Sequence, residues 1–325
     1  MCAALLFLGT WPTLLTLLER RGRLPQHTYL DYSINNLLAA VLIALTLGQL
    51  GESKKNMPNF FTQLSQDNWP SVLFAMAGGL VLSIGNLSTQ YAWTYVGLLV
   101  TEVICASMVV VIDALEDIEN GASAEDATRA KAGTAEYLIE LEGRRSIKVF
   151  GSSTLKGLGQ VFFAGVCLSL FSPALNLATN DQWHTLKDGV PHLDVYNAFF
   201  YFSISCFVIG IGLNILFLYR PMTGVPKSSF KAYLNDWEGT QWALLAGLLC
   251  GLGSGFQFMG GQVAGYAVAD AVEALPLGST FWSIVLFGEY RKSSKKMYTL
   301  LVFMLLMFIA AVATLMASAG HRSTK

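Results

Sequence analysis

"WPSVLFAMAGGLVLSIGNLSTQ" (69–90) is an apolar stretch of membrane-spanning length that ends in an amide. "WALLAGLLCGLGSGFQFMGGQ" (242–262) repeats its plan, with tryptophan first, glycines in the middle and glutamine last. Trp69 pairs with Trp242 and Gln90 with Gln262, at offsets of 173 and 172 residues. Outward from this pair the echoes continue. "YLDYS" (29–33) resembles "HLDVYN" (192–197), pairing Asp31 with Asp194, and "LGTWPTLL" (8–15) resembles "LFSPALNL" (170–177), pairing Pro12 with Pro173. Further along, Glu102 pairs with Glu273. Each echo is weak alone, but a nearly constant offset across four segments marks an internal repeat.

The composition sets the class. Of the 325 residues, 53% are hydrophobic and 13% charged, and that charged share is about half the soluble average. Apolar segments fall near 1–18, 33–50, 70–92, 96–112, 157–179, 195–219, 241–262, 271–288 and 297–317. A bilayer needs about 20 apolar residues per helix. The chain is therefore expected to be an all-α polytopic membrane protein. A net charge of −1 gives no sign of nucleic-acid binding. Cys105, Cys167, Cys206 and Cys250 lie in apolar runs and no C-x-x-C occurs, so neither a disulfide framework nor a zinc site is suggested. No cofactor is expected. The N-terminus places its charges after its apolar run and reads as a first spanning helix, not a cleaved signal.

The repeat divides the chain into a first copy of four helices (1–112), a cytoplasmic central loop (113–156) and a second copy of five helices with a tail (157–325). An odd-numbered repeat inserts in opposite orientations, the inverted-repeat transporter pattern. The first copy is incomplete. Its fourth segment, 96–112, makes roughly 25 Å of helix against a hydrocarbon core of about 30 Å. "MVVVIDALEDIENG" (108–121) turns acidic after Ile112. The expectation is a five-plus-five fold with a piece missing, leaving 8–9 membrane helices. Charge barely separates two topologies. If the fourth segment dips in without crossing, 16 of 21 Lys and Arg lie inside, "ERRGR" (19–23) among them. If it crosses, 15 lie inside and "ERRGR" is outside.

"GTWPTLLTLLERRGRLPQHTYLDYS", "NLSTQYAW", "FSPALNLATNDQW", "PKSSFKAYLNDW", "QFMGGQVAGYA" and "FGEYRKSSKK" resemble the plant ureide permeases of the drug/metabolite transporter superfamily. The likeness covers nearly the whole chain outside 113–133. It implies ten helices, a longer cytoplasmic central loop, and import of allantoin and oxo-heterocycles such as uracil and xanthine with protons at the plasma membrane. The partners are then a heterocyclic substrate, protons and the lipid bilayer. Against that pattern the chain starts without a short leader and jumps from the fourth segment into the end of the central loop. Such a piece could fail to transport and instead associate with intact relatives. The family's central loop has been linked to a P-loop; no G-K pair occurs here, so nucleotide binding is not supported.

Candidate site residues follow from chemistry. Glu102, inside an apolar run, would cost about 3 kcal/mol if charged; it reads as a proton-coupling acid or as a helix-start residue held by the dipole. Glu273 in "ADAVEALP" is a substrate contact or half of a capping box with Asp270. Asn86, Gln90, Gln257 and Gln262 offer neutral donors and acceptors to a planar heterocycle, or hydrogen bonds between helices. Trp93, with Tyr91 and Phe256, would stack on a ring. Asn176 and Thr179 follow Pro173 and would face the cavity made by bent helices. The Gly247, Gly251 and Gly255 ladder reads as a close helix contact. An intramembrane enzyme is disfavoured: no histidine falls in a predicted helix, and "GLGSG" lacks the spacing of a nucleophile turn.

Overall fold

The computed structural model describes residues 2–50, 58–96, 101, 104, 105, 108, 152–181, 183–187, 189–221, 225–264, 281 and 282. Among them the chain is helical, with no strand. The helices are α1 (Cys2–Arg20), α2 (Pro25–Leu45), α3 (Phe60–Leu64), α4 (Trp69–Val96), α5 (Ser152–Asn180), α6 (Val195–Tyr219), α7 (Phe230–Asn235) and α8 (Thr240–Ala264), with a 3-10 turn at Leu47–Gln49. Five stretches are long and apolar enough to cross a membrane, one each in α2, α4, α5, α6 and α8. Leu38, Leu42, Phe162, Phe163, Val208 and Leu216 are exposed on their outward faces, an apolar surface suited to acyl chains. The chain is an all-α polytopic membrane protein.

Two helix ends are set by local sequence. α1 stops in a Schellman turn: Arg23 N–H donates to the Leu18 carbonyl and Gly22 N–H to that of Glu19. Gly22 takes φ +93°, which only glycine adopts without strain. The turn throws Arg23 back over the bundle. α2 begins with Pro25 after an extended Leu24, where the missing N–H is no loss. It thus starts well before the predicted 33. Gln26, His27, Thr28 and Asp31 hide the helix from an apolar reading, yet all are buried. The expectation that no histidine is helical is corrected by His27. α5 likewise starts at Ser152, ahead of the predicted 157.

Packing obeys the repeat. α4 packs on α5 and α6, α8 on α1 and α2, and α2 on α6. Exchanging α1 with α5, α2 with α6 and α4 with α8 returns the same list. The glycines show this residue by residue. A Cβ on Gly79 would collide with the Phe202 carbonyl, and one on Gly251 would crowd Ala39 and the Asn36 carbonyl. Gly79 and Gly251 are repeat mates, and so are Ala39 and Phe202. Gly247 and Gly255 press on Tyr32 and Ile43, so the α8 ladder is the close contact its spacing predicts.

The mates run in opposite directions. The α1–α2 connection and the start of α8 meet at one end, where Arg23 reaches Thr240. The α5–α6 connection meets the end of α8 at the other, where Gln262 reaches Asp194. The first end carries Arg20, Arg21, Arg23, Lys156, Arg220, Lys227 and Lys231, and we call it the basic end; among described residues the opposite end carries Lys187. α4 finishes at the basic end, with Gln90 against Glu19 and Pro25. α5 packs antiparallel to α4, Ala174 beside Gly78 and Leu168 beside Gly85, so it starts there too. Most of the predicted fourth segment, with Glu102, lies outside the described residues, as do Glu273 and 113–151.

Candidate functional site

Near the middle of α2, α4 and α6 the bundle holds a small cavity. Tyr29, Tyr32, Ser33 and Asn36 reach it from α2, Ser83 and Asn86 from α4, and Ser203, Cys206 and Phe207 from α6. The α2 residues follow i, i+3, i+4, i+7 spacing, one helix face. The α2–α6 contact maps onto itself under repeat exchange, so the cavity lies beside the pseudo-symmetry axis, where transporters of inverted repeats place their sites.

Its chemistry is neutral and hydrogen-bonding. No lining residue is Asp, Glu, Lys, Arg or His. Asn36 donates to the Tyr32 hydroxyl at 3.2 Å, and that hydroxyl donates to Cys250 Sγ at 3.0 Å. Ser83 Oγ donates to the Cys206 carbonyl at 3.1 Å, and Cys206 Sγ to the Gly79 carbonyl at 3.1 Å. Ser203 Oγ is buried and makes no hydrogen bond within the protein. Trp11, Tyr32 and Tyr29 form an aromatic run with ring centroids 5.2 and 4.8 Å apart. The cavity has room for about one water, so a heterocycle enters only when these side chains move apart.

The predicted residues are not all brought here. Asn86 lines the cavity. Trp93 packs on Trp11, centroids 6.1 Å apart, one ring removed from Tyr32. Gln90 sits at the basic end, donating to Glu19 Oε1 at 2.7 Å and to the Pro25 carbonyl at 3.3 Å. Gln262 is at the opposite end, 3.2 Å from Asp194 Oδ1. Asn176 is near that end too, paired with Asn180. Gln257 is buried in α8. The sequence reading missed Tyr29 and Tyr32 because it began this helix at 33, and it did not single out Ser33 and Asn36 within it; their shared helical spacing after Pro25 was the available signal.

A second polar cluster closes the basic end. Arg23 Nη2 lies 2.6 Å from Asp31 Oδ2, 2.9 Å from Thr240 Oγ1 and 3.3 Å from the Asp236 carbonyl. His27 sets Nδ1 2.6 Å from Asp236 Oδ2 and Nε2 2.8 Å from Ser228 Oγ. Tyr233 donates to Asp31 Oδ1 at 2.7 Å. Burial, then the hydrogen bond to Asp31 and its charge, push the Tyr233 phenol well above its ordinary range, so it stays a donor. Among the described residues no group of His, Cys, Asp and Glu is arranged to hold a metal ion.

Inverted repeats around a mid-depth polar cavity are the architecture of a secondary transporter. The family model described as ureide permease matches residues 28–118 and 113–318. Ureide permease 1 of Arabidopsis thaliana is 61% identical over 379 residues, covering 99% of this chain and 96% of the relative. Ureide permease 2 of the same plant is 58% identical over 384 residues, with 99% and 96% covered. Probable ureide permease A3 of Vigna unguiculata is 53% identical over 365 residues, with 92% and 96% covered. No solved structure matches. The chain belongs to the ureide permease family, whose members are membrane transporters and not enzymes.

Proposed function

We propose that the chain imports allantoin and related oxo-heterocycles such as uracil and xanthine across the plasma membrane together with protons. The carrying observation is the mid-depth cavity lined by neutral hydroxyl, amide, thiol and aromatic groups with Leu37. Such groups match the alternating N–H and C=O edge of a neutral planar ring, and the relatives' names give the ureide class. The clustering of Lys and Arg supports the basic end as the cytoplasmic one. Glu102 is the proposed proton carrier and Glu273 a proposed substrate contact. Uptake of labelled allantoin and uracil in a transport-deficient yeast, with surface expression checked, tests this. Saturable uptake that rises in acid and falls about tenfold in Asn86→Ala supports it, the loss expected when a buried polar contact to substrate goes unmade. Absent uptake from a surface-expressed chain overturns it. Glu102→Gln is expected to abolish pH-driven accumulation while sparing exchange.

A second reading has its own observation. The family match breaks into two pieces that meet at 113–118, and the alignment to ureide permease 1 runs over 379 positions against 325 residues here. We therefore also propose a transport-inactive form that associates with intact relatives. Co-expression with an intact member decides it: unchanged partner uptake and no co-purification remove the idea.

A further inference from the structure

We propose that His27 and Asp236 form a proton-binding site that fastens the two repeats together at the basic end. It rests on the transport reading above and adds a site on the chain that responds to the proton. Apart from the Arg23–Asp31 pair, the contacts named here cross between repeats. Arg23, His27 and Asp31 belong to the first repeat; Ser228, Tyr233, Asp236 and Thr240 belong to the second. Side-chain exposures are 4% for Arg23, 7% for Asp31, 4% for His27 and 25% for Asp236. The ring is sealed from water, while Asp236 keeps an edge through which a proton enters.

Charge counting gives the role. Two carboxylates, Asp31 and Asp236, face one guanidinium, Arg23. With a neutral imidazole the buried cluster carries a net −1. One proton on the His27–Asp236 pair makes it neutral, and an uncompensated buried charge is strongly unfavourable. Histidine is the side chain whose ordinary titration falls in the physiological range. The protonated ring donates from Nδ1 to Asp236 and from Nε2 to Ser228, so both ring nitrogens keep their partners. Among the described residues the cluster's ion pairs hold no cation besides Arg23 and the His27 ring. Glu19 on α1 is engaged by Gln90, and Lys227, Lys231 and Glu238 are exposed on the connection from α6 to α8. The closed end therefore binds a proton that the open end releases. Acid closes it and rising pH loosens it.

Cys206 lines the cavity and reports opening without any substrate. The full chain in lipid nanodiscs is treated with N-ethylmaleimide, and Cys206 alkylation is followed by peptide mass spectrometry from pH 5.5 to 8.0. Rates are taken as ratios of variant to native chain, which cancels the intrinsic pH dependence of the thiol. His27→Gln cannot take the proton, so its ratio is expected to be about tenfold at pH 5.5 and near one at pH 8, within the usual range of coupling. Asp236→Asn is neutral without the proton. Its ratio is expected to be near one at pH 5.5 and about one-tenth at pH 8, which answers the question even if His27→Gln does not fold. Ratios that do not change with pH overturn the proposal, because a merely structural contact would give them. Because the readout needs no heterocycle, its failure is distinct from failure of uptake.

Discussion

At the basic end Arg23 and His27 reach from the first repeat to Asp236 and Thr240 of the second. At the opposite end Gln63 plays the matching part with an amide. Its Nε2 donates to the His192 carbonyl at 2.9 Å, and its Oε1 accepts from Asp194 N–H at 2.8 Å. Asn197 adds a bond to the Phe60 carbonyl at 3.2 Å. The ion pair there is on the surface: Lys187 and Asp67 have side chains 74% and 57% exposed, an arrangement worth little, while Asp194 is buried and accepts from Gln262. The sequence closes one end with a buried cluster of ion pairs and the other with amide hydrogen bonds around one buried carboxylate, Asp194.

The frame is tested first, with the largest effect. Gly79→Leu and Gly251→Leu each drive a side chain into the backbone of the neighbouring helix, and overpacking costs about 1–3 kcal/mol or more. As repeat mates they are expected to lower thermal stability in detergent by similar amounts. A large effect at one and none at the other breaks the symmetry on which the comparison stands. Arg23→Ala comes next. It leaves Asp31 and Asp236 without their guanidinium, a loss of about 3 kcal/mol. The Arg23→Ala, Asp31→Ala double variant should lose less than the single one, the sign of coupling in a double-mutant cycle. Additive losses would mean that the charges at this end act independently.

Gln63→Ala removes two amide hydrogen bonds of the opposite end, to the His192 carbonyl and from the Asp194 N–H, about 2 kcal/mol. Denaturation at pH 5.5 and pH 8 should show the same loss, and a pH-dependent loss would erase the contrast between the ends. The smallest effect is at Asp181. Burial alone would raise its carboxyl, but hydrogen bonds from Thr185 and Leu186 outweigh this and hold it below its ordinary range. A depressed carboxylate stabilises above the usual aspartate value and loses that contribution as pH falls through its own lower value. Hydrogen exchange at Thr185 and Leu186 should therefore stay slow across neutral and mildly acidic pH and quicken only in strong acid. Asp181→Asn should quicken it at all pH values.

The sequence was read most accurately where a segment is apolar throughout. α4, α6 and α8 begin and end close to their predicted limits, and the proline mates fall inside α1 and α5 as the repeat requires. It was read least accurately at the start of α2. Residues 25–33 are polar because they face the cluster and cavity, so hydropathy hid the part of the helix that carries the chemistry. The amides teach a second lesson. Gln90 and Gln262 looked like a pair for one ligand because they are repeat mates. Inversion sends mates near a helix end to opposite ends, so only mates at mid-depth share a site.

What the sequence determined alone is the material of the fold: a membrane protein of apolar helices, in two related copies, with family motifs that place it among the ureide permeases. These are properties of composition, period and offset, and they are local in the chain. What the tertiary structure decided is who meets whom. His27 finds Asp236 and Ser228 across more than 200 positions of chain, and Asn86 joins Tyr32 and Ser203 around one cavity. Close helix packing over glycines brings those helices together. No spacing along the chain encodes them, because a hydrogen bond depends on where two helices cross and not on how far apart their residues are written.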